Sequence, residues 1–307
     1  MTASTSPSTP KFASWTHDFL TGLIARATLA DRQPPFSDQS LVDLESGARQ
    51  LVVLAAREKP AAAAIVLFSS TSFEAEFVVD PLERHHGLGN RMMIEMLREA
   101  HGTVRIWAHG DHPDARALAR RYDMEPVREL LQLRAAVPDG VSIRPREAYS
   151  TTDGPQIDSF RVGTDDAEWL AVNARAFGAH PEQGKLSQAD LDARIAEEWF
   201  DAEDFLIARN ADGAMMGFCW LKVESAGVDS TADDEPGEFY AVGVHPRYQG
   251  RGLGRSLMEA GLKRLAERGI RTASLYVEAD NVSAVALYRS FGFADHAIDI
   301  QYELKRR

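Results

Sequence analysis

The sequence predicts a mixed α/β fold, with helices packed on a mixed sheet, that occurs twice in tandem along 307 residues. The first observation is that residues 75–91 and 240–256 both run an apolar strand into a proline, a polar turn, a Gly-x-Gly sequence and a helical pattern. The second is another matching pair downstream, residues 104–122 and 273–291, in the same order and at similar spacing. Two motifs repeated in one order indicate a tandem duplication.

A turn cluster at residues 138–140 sets the predicted boundary between the two copies. We expect one domain over residues 1–140 and a second over residues 141–307. Residues 141–144 have the pattern of the second domain's first strand. Each domain is long enough to bury a hydrophobic core of its own.

Hydrophobic periodicity gives the elements of the second half in order. Two helices come first, a hairpin follows, and strands then alternate with helices up to a last strand. The predicted helices cover residues 166–177, 191–200, 253–268 and 283–291, and the predicted strands cover residues 205–209, 215–223, 238–244, 274–278 and 298–304. Polar residues 146–159 and 225–237 are interpreted as loops. The first half shows the same order less clearly.

Composition narrows the range of functions. The net charge of −12 argues against nucleic acid or an anionic membrane as a partner, although backbone amides can still hold an anionic cofactor. No apolar run approaches the roughly 20 residues that span a bilayer, and residues 1–10 are predicted to be a frayed tail. Because Cys219 is the only cysteine, no intrachain disulfide can form. We expect a cytoplasmic protein, and a monomer because two fused domains can replace a dimer.

The sequence Gln-Gly-Arg-Gly-Leu-Gly at residues 249–254 lies between a predicted strand and a predicted helix. Glycines let a backbone approach a pyrophosphate, and the first amides of a helix have no internal partners, so this loop is a candidate phosphate site. The loop lacks the third glycine that a dinucleotide-binding motif requires, and it lacks the Gly-Lys-Ser/Thr of a Walker A loop. A turn that only starts a helix is the alternative for one copy, but the second copy at residues 84–89 argues against it.

The loop sequence resembles the acyl-CoA pyrophosphate loop of the GCN5-related N-acetyltransferases, in both halves. Residues 280–293 look like the same family's other signature, whose Asn-to-helix turn abuts the pantetheine arm. The resemblance implies two tandem GCN5-related N-acetyltransferase domains that use acetyl-CoA as co-substrate. Four further blocks are similar to a narrower tandem group within the family, which acetylates the cysteinyl amine of cysteinyl-glucosaminyl-inositol. Those blocks are residues 107–113, 173–177, 180–184 and 275–281.

The resemblance also implies which residues hold acetyl-CoA. Strand residues pair with the pantetheine through backbone groups, and loop residues hold the pyrophosphate. In the first half the implied residues are Phe77, Val78, Val79, His85, His86, Gly87, Leu88, Gly89 and Asn90. In the second half they are Val242, Gly243, Val244, Gln249, Gly250, Arg251, Gly252, Leu253, Gly254, Arg255, Asn281, Val282, Ser283, Ala284, Val285 and Ala286.

Two residues of the second half are candidates for acid–base chemistry. Glu238 opens the strand that leads to the phosphate loop and is interpreted as the general base, acting through water. Tyr288 lies on the helix after the downstream signature and is interpreted as the general acid. By residue type alone, Glu238 is more typical of a solvated carboxylate at a strand end, and Tyr288 is more typical of a core aromatic. At offsets of 165 and 169 residues they fall on Phe73 and Ala119, so we expect a first domain that binds acetyl-CoA or CoA without catalysis.

The resemblance implies that polar side chains from both halves bind the amine substrate. They are Asp38, Glu182, Lys222, Glu238 and Tyr276. Asp38 departs from the glutamate usual in the family, and its side chain is one methylene shorter.

Two other functions stay open at this point. One is a tandem N-acetyltransferase for another small amine, such as an aminoglycoside or a peptide N-terminus, and the other is a non-catalytic acyl-CoA sensor. The run His109-Gly110-Asp111-His112 is interpreted as a strand-to-helix turn and not a metal site, because no further ligand follows at useful spacing. Cys219 lies in an apolar strand and is predicted to be buried and inert.

Overall fold

The structure is a computed structural model, and it describes residues 14–138, 155–178, 183–224 and 236–304. Within these ranges no helix combines the length and the apolar character that a membrane crossing requires. The chain divides into two compact units. The first comprises Met1–Leu130 with Ala297–Arg307, and the second comprises Leu131–His296.

The first unit is a mixed sheet with helices on both faces. Its elements are α1 (Ser14–Asp31), α2 (Asp38–Glu45), β1 (Gln50–Ala56), β2 (Lys59–Phe68), β3 (Ser72–Val79), α3 (Leu88–Glu99), β4 (Thr103–Ala108) and α4 (Pro113–Arg121). The strand order is β1-β2-β3-β4, and β4 is followed by the chain's last strand, β11 (Ala294–Leu304). Only the β3/β4 pair is parallel among the ladders of this sheet whose register is described.

The second unit repeats this plan. It takes up β5 (Met124–Ala136) from Leu131 onward and continues with β6 (Gln156–Ser159), α5 (Asp166–Ala176), α6 (Gln188–Ile195), β7 (Phe205–Arg209), β8 (Met215–Lys222), β9 (Gly237–Val244), α7 (Leu253–Glu267), β10 (Thr272–Glu278) and α8 (Val282–Arg289). The strand order is β5-β10-β9-β8-β7-β6. Strands β9 and β10 are parallel, as β3 and β4 are in the first unit.

Each sheet of the two units buries apolar side chains on both faces. In the second unit, Leu257 and Leu262 of α7 pack on one face, while Trp169, Phe205 and Trp220 form an aromatic cluster on the other. In the first unit, the methionines of α3 pack on one face and α1 on the other. Because strand side chains alternate between faces, this packing fixes which residues of each strand point to which side.

The two units are not the halves that the sequence predicted. Ile300 and Tyr302 of β11 pack in the core of the first unit with α3, whereas Leu133 and Ala135 of β5 pack in the core of the second with α7. The last strand of each sequence half therefore completes the unit formed by the other half. The division thus differs from the expected boundary at residues 140/141.

Most predicted elements of the second half are confirmed, with two corrections. The helix predicted over residues 191–200 spans Gln188–Ile195, because Ser187 starts it with a capping box and the chain leaves the helix afterwards. The rings of Trp199 and Phe200 then turn to contact Trp220. The loop predicted over residues 146–159 is wrong at its end, where Gln156–Ser159 pairs with β7.

Other predictions fall outside the described residues. These are the frayed tail at residues 1–10, the strand at residues 141–144, the turn at residues 139–140, most of the loop at residues 225–237 and the binding residue Glu182.

Candidate acyl-CoA and amine sites

Each phosphate loop contains a glycine whose backbone conformation is unfavourable for residues that carry a side chain. Gly87 and Gly252 stand at the N-caps of α3 and α7 with φ of 84° and 87°, in the left-handed region. Neither cap has a side chain that could accept from the first helical amides. Each helix therefore presents open N–H groups and the positive end of its dipole, which is the arrangement that binds phosphate.

The side chain that leads each loop is anchored in the same way. Arg84 Nε donates to the carbonyl oxygen of Val79 at 3.2 Å, and Gln249 Nε2 donates to that of Val244 at 3.0 Å. The next residue, His85 in one loop and Gly250 in the other, has a positive φ. The two loops thus share one backbone path, which supports the duplication.

The second glycine of each Gly-x-Gly sequence packs against the downstream helix. A Cβ on Gly89 would lie 3.2 Å from Leu118 of α4, and a Cβ on Gly254 would lie 3.2 Å from Leu287 of α8. The glycine therefore lets α3 approach α4 closely in the first unit and lets α7 approach α8 closely in the second.

We expect Gly254→Val to raise the KM for acetyl-CoA about tenfold or more, because its methyl groups push α7 and α8 apart and displace the loop. Overpacking of this kind also costs about 1–3 kcal/mol of unfolding free energy. Steady-state kinetics and urea unfolding measure the two effects. Gly254→Ala is the control, since Leu287 can yield to a single methyl group. An unchanged KM in the valine variant would contradict this role.

The parallel strands separate early in the second unit. The β9/β10 ladder contains only the pairs Gly237–Ala273 and Glu238–Ser274, although both strands continue beyond them. In the first unit the β3/β4 ladder runs on to the pair Glu76–Trp107. The edge of β9 that faces β10 is therefore released after Glu238, which is the last paired residue and stands where the two strands begin to separate.

A β-bulge in β9 changes the correspondence between the two units. Trp220 pairs with Ala241 and the next residue, Leu221, pairs with Phe239, so Tyr240 is an extra residue in β9. The β2/β3 ladder of the first unit runs without this irregularity. An alignment of the two units with a constant offset of 165 residues is therefore wrong by one residue in the part of β9 that precedes the bulge.

The equivalence of Glu238 with Phe73 is therefore wrong, and the first-unit counterpart of Glu238 is Glu74. The parallel ladders show this directly, because Glu238 pairs with Ser274 and Glu74 pairs with Arg105, which lies 169 residues before Ser274. Phe73 is instead a buried core residue of the first unit. Sequence comparison missed Glu74 because no pattern in the strand reveals the bulge.

Glu74 is engaged in its own unit. Its carboxylate accepts from Arg49 Nη2 at 2.9 Å and from Gln301 Nε2 at 3.3 Å. The carboxylate of the first unit is thus neutralised by a guanidinium.

Three of the predicted amine-binding residues share one sheet face of the second unit. Lys222 and Glu238 are opposite each other in the β8/β9 ladder, and Tyr276 follows Ser274 by two residues on β10. The ammonium of Lys222 also lies 2.7 Å from the Glu224 carboxylate. The Tyr276 hydroxyl accepts from Gln132 Nε2 at 2.9 Å, and Tyr276 is 44% exposed. Asp38 belongs to the first unit, where it is the exposed first residue of α2.

Tyr288 lies in the core that α8 shares with α7, and only 9% of its surface is exposed. Burial, with a smaller contribution from the thiol of Cys219, raises the pKa of Tyr288 to about 12. The phenol therefore keeps its proton at neutral pH. Its counterpart Ala119 is a buried methyl group of α4.

The start of α8 is capped by the signature asparagine. Asn281 Oδ1 accepts from the amide of Ala284 at 3.2 Å. In the first unit α4 begins after His112, which makes no such side-chain cap, and has Pro113 in its first turn. Cys219 is buried as predicted, and burial raises the pKa of its thiol.

The first unit contains a cavity of about 640 Å³ at its phosphate loop. Seven of the nine predicted cofactor residues of this unit line it. They are Phe77, Val78, Val79, His85, Gly87, Gly89 and Asn90. Trp107, His109 and Tyr302 also line the cavity. His86 and Leu88 do not line it.

His109 is held in a buried charge cluster beside this cavity. Its Nδ1 lies 3.0 Å from Asp299 and its Nε2 lies 3.4 Å from Glu76. Glu76 also accepts from the hydroxyl groups of Ser37 and Ser40. Among the described residues no group of three His, Cys, Asp or Glu side chains has a geometry that could hold a metal ion.

Burial opposes the charges of this cluster, but the mutual contacts outweigh it. The pKa of His109 is raised to about 10 by Asp299 and Glu76, and the pKa of Glu76 is lowered to about 2, mainly by His109. The stabilisation from His109 is complete below pH 6.5 and is lost as the pH rises through about 10. That from Glu76 is complete above pH 4.5 and is lost as the pH falls through about 2.

We expect His109→Gln to lower the unfolding free energy by about 3–5 kcal/mol near pH 6, because two buried carboxylates lose their cation. Urea unfolding from pH 5 to pH 10 measures this, and the gap to the wild type should narrow at the alkaline end. His101→Gln, at an exposed position, is the control. A gap that stays constant with pH would contradict a charged His109.

The fold and the two loops define an acyl-CoA-dependent N-acetyltransferase. A model of the acetyltransferase (GNAT) family matches residues 170–293. A tandem GNAT protein from the clavulanic acid biosynthesis pathway superimposes with a TM-score of 0.67 at 16% identity, covering 96% of this chain and 97% of that one. A GCN5-related N-acetyltransferase from Sphaerobacter thermophilus gives 0.66 at 22% identity, covering 92% and 90%. These structures confirm the predicted fold.

Sequence relatives specify the family further. The chain is 45% identical to the mycothiol acetyltransferase of Clavibacter michiganensis subsp. michiganensis, over 94% of this chain and 92% of the relative. It is 42% identical to the mycothiol acetyltransferase of Kocuria rhizophila, over 93% and 95%. The chain therefore belongs to the mycothiol acetyltransferase family, and the predicted resemblance to a narrower tandem group is confirmed.

Proposed function

We propose that the second unit transfers the acetyl group of acetyl-CoA to the cysteinyl amine of cysteinyl-glucosaminyl-inositol, giving mycothiol and CoA. The observation that carries this proposal is the separation of β9 from β10 after Glu238, on the strand that leads to the left-handed glycine at the start of α7. A carboxylate where the two strands part would face the thioester end of a cofactor bound along the released edge of β9.

Acetyl transfer requires that the ammonium lose a proton and that the leaving thiolate gain one. In this proposal Glu238 takes the proton from the ammonium through a water molecule. The freed nitrogen attacks the thioester carbonyl carbon, the carbon–sulfur bond breaks, and the nitrogen releases its second proton to water as the amide forms. The phenol of Tyr288, which burial keeps protonated, donates its proton to the thiolate.

Acetyl-CoA would lie along the released edge of β9. Val242, Gly243 and Val244 offer backbone groups to the pantetheine, in the manner of an added strand. The loop at residues 249–255 and the helix start at residues 281–286 would hold the pyrophosphate and the rest of the arm. The left-handed glycine at the N-cap of α7 and the close packing of Gly254 fit this use.

The amine substrate would contact Lys222, Glu238 and Tyr276, together with Glu182 and Asp38. The substrate carries many hydroxyl groups, and these side chains offer both donors and acceptors to it. The three residues that share the sheet face support this assignment.

The first unit would bind acetyl-CoA or CoA without turnover. Its loop and cavity support binding. Catalysis is disfavoured for two reasons, because Glu74 is neutralised by Arg49 and because Ala119 supplies no acid.

We also propose a cytoplasmic monomer that binds neither nucleic acid nor membrane. The net charge of −12 and the single buried cysteine support this assignment. Light scattering of the purified protein would measure its mass.

CoA thiol release tests the proposed function. The assay compares cysteinyl-glucosaminyl-inositol with an aminoglycoside and a peptide with a free N-terminus. Release with the first amine alone is the expected result. Release only with the others would keep the acetyltransferase and remove the substrate, and binding of acetyl-CoA without release would favour a sensor.

A further inference from the structure

The second unit carries a row of polar side chains that crosses four strands. Strands β5 and β10 are neighbours in the sheet, and the amide of Val137 donates to the carbonyl oxygen of Arg271 at 2.8 Å. This bond and the contact between Gln132 and Tyr276 set an antiparallel register in which Gln132 stands opposite Tyr276. The same register puts Arg134 opposite Ser274. Since Ser274 pairs with Glu238, and Glu238 with Lys222, the row ends in Arg134. At about 4.8 Å between strands, Arg134 and Glu238 are roughly 10 Å apart at the backbone.

Arg134 points to the same face as Glu238. Its neighbours Leu133 and Ala135 are buried against α7, and strand side chains alternate, so Gln132 and Arg134 face the other side. The bond from Gln132 to Tyr276 confirms this orientation.

The first unit has an ion pair at the equivalent place. Glu303 of β11 pairs with Arg105 of β4, and Arg105 Nε lies 2.9 Å from the Glu303 carboxylate. These two residues lie 169 positions from Arg134 and Ser274, respectively. The second unit has therefore replaced the carboxylate by a guanidinium and the guanidinium by a hydroxyl, so that Arg134 faces a serine.

Among the described residues, no carboxylate acts on the guanidinium charge of Arg134. Burial lowers the pKa of its guanidinium, while the Tyr276 phenol opposes this shift. Its charge contributes, after burial, to a lowered pKa of His296. The Nε of Arg134 is buried, and none of the described residues accepts from it. A half-buried cation in this state is costly unless a ligand satisfies it.

We propose that Arg134 binds the polyol part of the amine substrate, donating from its guanidinium fork to two adjacent hydroxyl oxygens. The inference rests on the proposed function. A guanidinium only donates, in a planar fork, and so selects paired acceptor oxygens. The distance of about 10 Å from Glu238 places this contact on the sugar–inositol end and away from the reacting amine. Arg134 is thus a specificity residue, with Gln132 orienting the Tyr276 hydroxyl beside it.

The experiment compares two acceptors, cysteinyl-glucosaminyl-inositol and cysteine amide, which lacks the polyol. Arg134→Gln is expected to lower kcat/KM for the first about 10- to 100-fold, as for the loss of hydrogen bonds to a charged group. The value for cysteine amide and the KM for acetyl-CoA are expected to stay unchanged. Arg105→Gln is the control, because it removes a guanidinium from the equivalent strand pair of the first unit, and it is expected to change none of these values.

Equal losses with both acceptors, or no loss with the polyol substrate, would overturn the proposal. Arg134→Lys serves as a second variant if Arg134→Gln does not fold, because it keeps the charge and loses the fork. It is expected to fall between the wild type and Arg134→Gln, and wild-type kinetics in it would overturn the fork. A wild type that does not prefer the polyol substrate would instead contradict the proposed function, and the role of Arg134 with it.

Discussion

Glu238→Gln is expected to lower kcat by about 100-fold or more while the KM for acetyl-CoA changes little. Glutamine keeps the shape of the side chain and cannot accept the proton from the ammonium, and general-base catalysis contributes about 10²- to 10⁴-fold. The proposed cofactor contacts lie further along β9 and in the loop, so binding of acetyl-CoA is expected to survive. Steady-state kinetics with a titration of acetyl-CoA binding measures both quantities.

The matched control is Glu74→Gln, because Glu74 occupies the same ladder position in the first unit. This variant loses the ion pair with Arg49 and is expected to keep the wild-type kcat. Similar losses in both variants would contradict the assignment of chemistry to the second unit. A Glu238→Gln enzyme with the wild-type rate would move the base to another residue.

The tandem fold and the loops could be predicted because they depend on local sequence. The Gly-x-Gly turns need the first glycine for a left-handed backbone and the second for close packing. The residue types alone therefore indicate the turn. The helices after them follow from apolar periodicity. Both signals are contained within about fifteen residues of chain.

The bulge at Tyr240 could not be predicted, because it depends on which residues of β8 stand opposite β9. Its consequence for Glu74 and Phe73 followed only from the ladders. The exchange of β5 and β11 between the units is equally remote from local pattern, since it is fixed by pairing over more than a hundred residues.

Arg134 was missed although a signal for it was present. Residues 132–134 read Gln-Leu-Arg and residues 301–303 read Gln-Tyr-Glu, at the offset of 169 that relates the downstream motifs. Comparing the last strands of the two repeats would have shown a carboxylate exchanged for a guanidinium. The significance of that exchange appears only once Ser274 is known to stand opposite.

Tyr288→Phe is expected to lower kcat about 100-fold with an unchanged KM for acetyl-CoA, because the leaving thiolate loses its proton donor. The pKa of Tyr288 is about 12, so the wild-type phenol is protonated across the working range. The wild-type kcat should therefore show no loss from this group up to about pH 10. Measurement of kcat from pH 6 to pH 10 tests both statements.

The alternative is that Tyr288 only fills the core, and stability separates the two roles. Phenylalanine keeps the ring that packs against Phe293, so the thermal midpoint should stay close to that of the wild type while kcat falls. Tyr288→Leu is the comparison, since it removes both the ring and the hydroxyl and should lower the midpoint as well. A phenylalanine variant within about threefold of the wild-type kcat would leave the residue a packing role, and the proton for the thiolate would then have to come from water.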